Sequence, residues 1–193
     1  MAADRIVNIK VTTTSQWQDP STLYANVNWV QTGLTGFGNQ NNRLLPGGGG
    51  CTINLQGMPR DSAFTNNVRI QLTLDDHMTD YQNRPVHSRW AVAGEGSNPP
   101  AKAEGPCMFM LNCGDANAIN PLNVSFDRVS PNLIRIQDNR VIGQPDNVQY
   151  AFGLGMIVEL PTGNYFITLD PASSPKGTGT SPIEDEEEGC EDE

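Results

Sequence analysis

Apolar and polar residues alternate along much of this chain, and the longest alternating segment is 148–160. From Val148 onward, every even-numbered residue in that segment is apolar. A period of two places these side chains on one face of a β-strand, whereas a helix would spread them around its surface. Turn-forming residues follow at 161–164, and alternation resumes at Tyr165. The pattern therefore predicts a long β-hairpin.

Shorter segments with the same alternation, or with an apolar run between turn residues, predict further strands. These segments are 5–14, 23–29, 51–55, 68–74, 86–93, 107–112, 122–126 and 134–136. The segments 31–50 and 94–106 are rich in Gly, Asn and Pro, which predicts long loops. Nine or ten short strands without an amphipathic helix predict an all-β fold, an antiparallel β-sandwich of the jelly-roll or immunoglobulin-like type.

The chain of 193 residues is long enough for one self-sufficient core. We expect one β-sandwich domain over residues 1–171. Residues 172–193 are rich in Ser, Pro, Gly and acids and have little to bury, which predicts a disordered acidic tail.

The formal net charge of −10 is concentrated in that tail. Residues 184–193 hold eight of the 22 acids and no base, which leaves 14 acids against 12 bases, or −2, for the rest. A nearly neutral body argues against nucleic-acid binding, which depends on clustered Lys and Arg. Charged residues are only 18% of the chain, and the uncharged polar residues that replace them suit neutral partners such as sugars or further copies of the protein.

The beginning of the sequence lacks the pattern of a secretory signal peptide, and no apolar run is long enough to span a membrane. These features predict a cytoplasmic protein without a membrane partner. The four cysteines, Cys51, Cys107, Cys113 and Cys190, contain no CxxC pair, and in that compartment we expect reduced thiols.

The densest cluster of polar residues is Asp75, Asp76, His77 and Asp80, with His87 nearby in sequence. One hypothesis is a metal-dependent enzyme that uses Asp75, Asp76 and His77. Another is a calcium site made by Asp75, Asp76 and Asp80, although EF-hand spacing is absent. The simpler interpretation is a strand end followed by an Asp-rich turn. No catalytic residues and no cofactor are predicted, apart from the calcium ion of this hypothesis.

Carbohydrate binding is a further hypothesis, because lectin sites often stack a sugar on an exposed aromatic ring beside Asp or Asn. Trp29 and Trp90 fall in predicted core rows, whereas Trp17 stands between Gln16 and Gln18. The candidate ligand-binding residues are therefore Trp17, Asp75 and Asp76.

Two segments resemble the bacterial AidA/PixA inclusion-body protein family. The sequence from Asp4 to Thr12 (DRIVNIKVT) resembles the family's opening strand, and Gly163-Asn164-Tyr165-Phe166 through Asp170-Pro171 resembles its final hairpin. The Gly-rich loop, the cysteines and the acidic tail depart from that family. The resemblance implies a cytoplasmic, non-enzymatic β-sandwich that self-associates and could bind glycans.

Together these observations favour a non-enzymatic, self-assembling structural protein, such as an inclusion-body, filament or shell component, that forms a homo-oligomer. A carbohydrate-binding module is the first alternative, and the metal-dependent enzyme is the second.

Overall fold

The computed structural model describes residues 2–38, 52–54, 60–92, 108–111, 124–140, 149–169 and 177–180. All secondary-structure elements in these residues are strands, as the alternation predicted. In chain order they are β1 (Ala3–Asp19), β2 (Thr22–Thr35), β3 (Thr52–Asn54), β4 (Phe64–His77), β5 (His87–Trp90), β6 (Met108–Leu111), β7 (Val124–Ser130), β8 (Leu133–Asp138), β9 (Gln149–Leu160), β10 (Gly163–Leu169) and β11 (Gly177–Thr180). The described residues include no helix long and apolar enough to cross a membrane.

The strands form two layers around one core, which confirms the predicted all-β sandwich. One layer has five strands in the order β2-β1-β4-β8-β7, and the other is built around β9, which pairs with β10, β5, β6 and β3. The short strand β11 pairs with both β2 and β10 and so connects the layers at one side.

One strand pair differs from the predicted antiparallel arrangement. β1 and β4 are parallel, in a register that aligns Ile9 with Leu72, whereas the other named pairs are antiparallel. Alternation determines which face of a strand is apolar, but it carries no information about the direction of its neighbour. β2 ends beside the start of β1, where Thr35 pairs with Ile6, and β4 begins at the same end on the other edge of β1, where Phe64 pairs with Ala3. β4 therefore runs in the same direction as β1.

The core is formed by the inward rows of both layers. Ile9, Leu72 and Ile134 lie side by side on β1, β4 and β8, and each is almost fully buried. Burying an aliphatic side chain of this size contributes about 1.5–3 kcal/mol. The facing layer contributes Leu154, Met156, Val158, Tyr165 and Ile167.

The predicted hairpin is confirmed as β9 and β10, which are joined by Pro161 and Thr162. Gly163, directly after this turn, has a φ of 139°, a backbone conformation that residues with a Cβ atom rarely adopt. The side chains of Tyr150 and Phe152, two members of the predicted inward row, lie outside the described residues.

The cysteines, the Gly-rich segment and most of the predicted tail are outside the residues that the structure describes. The four cysteines lie outside the described residues, and so do residues 39–50 of the predicted loop 31–50. In the predicted tail, only residues 177–180 are described, and their backbone forms β11. The predictions of reduced thiols and of a disordered tail therefore stay predictions for the other positions.

Candidate functional site

Asp75 and Asp76 are consecutive residues of β4, and therefore they point to opposite faces of the sheet. Asp75 lies on the outer face, where its carboxylate is 3.0 Å from Lys10 Nζ and 3.4 Å from His77 Nε2 and accepts a hydrogen bond from Thr12 Oγ1 at 3.2 Å. The hydrogen bond from Lys10, aided by Thr12 and by the lysine charge, lowers the pKa of Asp75 below its ordinary value.

Asp76 lies on the core side of β4 and connects this strand to β5. Its Oδ1 accepts the backbone N–H of Met78 at 3.0 Å, and its Oδ2 accepts the backbone N–H of Ser88 at 2.6 Å. His87 Nδ1 is 3.9 Å from the same Oδ2. These contacts give Asp76 a structural role, because its carboxylate satisfies backbone donors where one layer of the sandwich meets the other.

Asp80 organises the turn after β4. Its Oδ1 accepts the backbone N–H groups of Gln82 and Arg84 at 2.9 and 2.8 Å, and its Oδ2 accepts Nε of Arg84. Burial raises the pKa of Asp80, but the hydrogen bonds from Arg84 and Gln82 outweigh burial and lower the pKa overall. The sequence predicted an Asp-rich turn here, and the structure shows that Asp80 is the residue that closes it.

The three aspartates are therefore engaged at different places. The described part of the chain contains no group of three His, Cys, Asp or Glu residues placed to hold a metal ion. The structure thus does not bring Asp75, Asp76 and Asp80 together as a calcium site, nor Asp75, Asp76 and His77 as a metal-enzyme site. Both hypotheses stay predictions for solution tests.

Trp17 lies at the opposite face of the sheet from Asp75, in the row of β1 that continues the core. Its Nε1 donates a hydrogen bond to the backbone oxygen of Thr79 at 2.9 Å. Its ring meets those of Tyr81 and Tyr165 edge to face, with both centroid distances 6.0 Å. The predicted trio of Trp17, Asp75 and Asp76 is consequently not one site. Instead, Trp17 belongs to an aromatic cluster that includes Tyr81, a residue that the sequence analysis did not single out.

The outer face of β1 and β2 exposes a row of side chains on each strand. Its exposed residues are almost entirely uncharged. They are Lys10, Thr14, Gln16, Gln18, Asn26, Asn28, Val30, Thr32 and Thr35. The one charged member, Lys10, is compensated by Asp75.

A cluster of polar and charged side chains surrounds Asp4, farther along the outer face of the five-stranded layer. The Asp4 carboxylate accepts hydrogen bonds from Thr65, Asn67, Gln137 and, at 3.1 Å, from Arg69. Burial raises the pKa of Asp4, but these hydrogen bonds and the arginine charge lower it overall. Because every member has partners, this cluster is a structural network.

No protein-family model, no curated protein and no solved structure matches this chain. The resemblance to the AidA/PixA family and the cytoplasmic location therefore stay predictions.

Proposed function

We propose that this protein is a non-enzymatic structural protein that assembles with further copies of itself through the outer face of β1 and β2. The observation that carries the proposal is that the exposed residues of that face include one charged side chain, Lys10, which is paired with Asp75. The AidA/PixA resemblance supports the same function and a cytoplasmic location.

Charge depletion favours a protein partner because charged groups are costly to remove from water. The cores of protein interfaces are poor in Lys, Glu and Asp relative to the rest of the surface. Val30, whose exposed fraction is 39%, is an apolar residue within this face, and its Asn and Thr neighbours can exchange hydrogen bonds with a second copy.

The free edge of the five-stranded layer is a less suitable contact. β7 ends the strand order, and among the described strands it pairs only with β8. It carries Asp127 and Arg128 in succession, one on each face of the sheet. Charges at these positions protect an edge strand against pairing with another sheet. Assembly therefore uses the uncharged face rather than the β7 edge.

The proposal is tested by placing a charge in the face. Asn26 is exposed and lies opposite Thr14, away from Asp75. We expect the unmodified protein to grow in molar mass with concentration, as measured by light scattering after size exclusion, and Asn26→Arg to shift this growth to concentrations about tenfold higher or more. The matched control is Asn164→Arg, an equal change at an exposed position of β10, outside the face.

An unmodified protein that stays monomeric across the concentration range would contradict the proposal. Equal effects of Asn26→Arg and Asn164→Arg would show that assembly uses a different surface.

A further inference from the structure

The short strand β11 fills a slot between β2 and β10, and among the described strands it is the one that pairs with both layers. Gly179 is in register with Leu23 of β2 on one side and with Ile167 of β10 on the other. Both of these side chains are fully buried. Residues paired across a sheet point to the same face, so position 179 lies on the core side of β11. Position 177 lies on that side as well, because it is in register with the buried Ala25.

Glycine at position 179 suits this slot. Leu23 and Ile167 are completely buried although position 179 contributes no side chain, so the core is already filled there. A larger residue would overpack the core, which is destabilising. The slot therefore selects a strand with glycine at alternate positions, which is uncommon because glycine is depleted in strands. Segment 177–180, with the sequence Gly-Thr-Gly-Thr, meets this requirement, and an arbitrary peptide does not.

The attachment of β11 to its own chain is limited. β10 pairs with β9 from Gly163 to Leu169, but it pairs with β11 only at Phe166 and Ile167. The connection from β10 to β11 comprises residues 170–176, which is longer than the two to five residues that usually join the strands of a hairpin. Because Gly and Thr offer little apolar surface to bury, β11 depends mainly on backbone hydrogen bonds. Such a segment opens more readily than the core strands do.

A second copy offers the same segment to the same slot. After an exchange, the pairing of β11 with β2 and β10 is the same as before, so the exchange costs only the association of the two copies. Assembly through the outer face of β1 and β2 supplies that association, and it holds the β11 of one copy at a high effective concentration beside its neighbour. β11 pairs with β2 at Tyr24, two residues from Asn26 of the assembly face.

We propose that assembled copies exchange β11, so that segment 177–180 of one copy pairs with β2 and β10 of its neighbour. The inference rests on the proposed function, because the outer face of β1 and β2 brings the copies together. The connection 170–176 spans at most about 25 Å when extended, which limits the separation of the two slots in the assembly. When each copy gives its strand to the next, the contact is heterologous and extends the assembly as a chain of copies.

The experiment traps β11 in the slot of another copy by a disulfide. Tyr24 and Thr178 are register partners, which places them at a separation that a disulfide can bridge. One full-length protein carries Tyr24→Cys and another carries Thr178→Cys, and the two are mixed in equal amounts under mild oxidation. In this mixture, a disulfide between positions 24 and 178 joins β2 of one copy to β11 of another. Mass spectrometry of the digested product identifies the linked positions, which separates this disulfide from links through the native cysteines.

We expect the 24–178 disulfide between copies to form at the concentrations at which light scattering shows assembly. Its yield should fall about tenfold or more when both proteins also carry Asn26→Arg. Gly179→Val, added to the Thr178→Cys protein, should lower the yield about tenfold or more because it overpacks the core. Thr180→Val is the matched control on the other face of β11, and it should leave the yield within about threefold. Circular dichroism checks that each variant is folded.

A single chain that carries both Tyr24→Cys and Thr178→Cys reports the pairing of β11 within its own copy. If the protein assembles, and this chain forms the 24–178 disulfide at the mass of one copy while the mixture forms none, the exchange is refuted and the proposed function stands. A protein that stays monomeric in light scattering would refute both. A yield that either Asn26→Arg or Gly179→Val leaves unchanged would also overturn the exchange, because it would then depend on neither the assembly face nor the fit of the slot.

Discussion

Replacing Trp17 with Phe tests how the turn Asp80–Arg84, which follows β4, is attached to the sandwich. The change keeps a ring that can contact Tyr81 and Tyr165, but it removes the hydrogen bond from Nε1 to Thr79 O. A hydrogen bond of this kind contributes about 0.5–1.5 kcal/mol. The Thr79 oxygen keeps its bond from Ser15, so no buried acceptor is left without a partner. With the lost packing of the larger ring, we expect the free energy of unfolding to fall by about 1–2 kcal/mol.

Trp29 provides the matched control, because it is also a half-buried tryptophan on a neighbouring strand. Trp29→Phe loses ring packing alone, and we expect it to cost less than about 1 kcal/mol. Urea unfolding followed by far-UV circular dichroism gives both values and does not depend on tryptophan fluorescence. If Trp17→Phe costs no more than Trp29→Phe, the hydrogen bond from Trp17 Nε1 to Thr79 O does not help to hold this turn against β1, which would contradict the prediction.

Two further predictions concern acid and calcium. Because the pKa of Asp4 is lower in the folded protein than its ordinary value of 3.8, its contribution to stability is complete above about pH 4 and is lost as the pH falls through the folded-state pKa. Asp4→Asn should therefore reduce the fall in the free energy of unfolding, measured with urea, as the pH is lowered below about 4. If the free energy of unfolding falls equally steeply in both proteins, the Asp4 network does not contribute. Because Asp75, Asp76 and Asp80 hold internal partners in different places, we expect millimolar calcium to leave the midpoint of thermal unfolding unchanged. A rise of several degrees with calcium, abolished by Asp80→Asn, would show that these carboxylates rearrange to bind it.

The layers of the sandwich could be predicted from the sequence because alternation reports burial directly. The rows through Leu72 and Met156 are examples, since their buried members, such as Ile70, Leu154 and Val158, face the core as the spacing indicates. The parallel pairing of β1 with β4 could not be predicted in this way. It depends on how distant segments meet, and the alternation within a single strand is the same for both directions.

The candidate site was harder to predict, and the reason is geometric. Asp75 and Asp76 are adjacent in sequence, which made them look like one cluster, but adjacent strand residues lie on opposite faces. Tyr81 was missed because its exposure depends on the closed turn around Asp80. A signal was present in the sequence, since an aromatic residue directly after an aspartate that can accept turn N–H groups is placed at the tip of a turn.

The position of β1 also has a consequence for synthesis of the protein. β1 ends at Asp19, and its parallel partner β4 begins only at Phe64. While the ribosome is making the intervening residues, β1 can form a hairpin with β2, but its other edge has no partner strand, and apolar side chains such as Val7 and Val11 are not yet covered by the second layer. A nascent chain in this state exposes an unpaired strand edge, which is the condition that favours aggregation and chaperone binding. The interval during which translation leaves β1 unprotected is therefore set by the connection between β2 and β4.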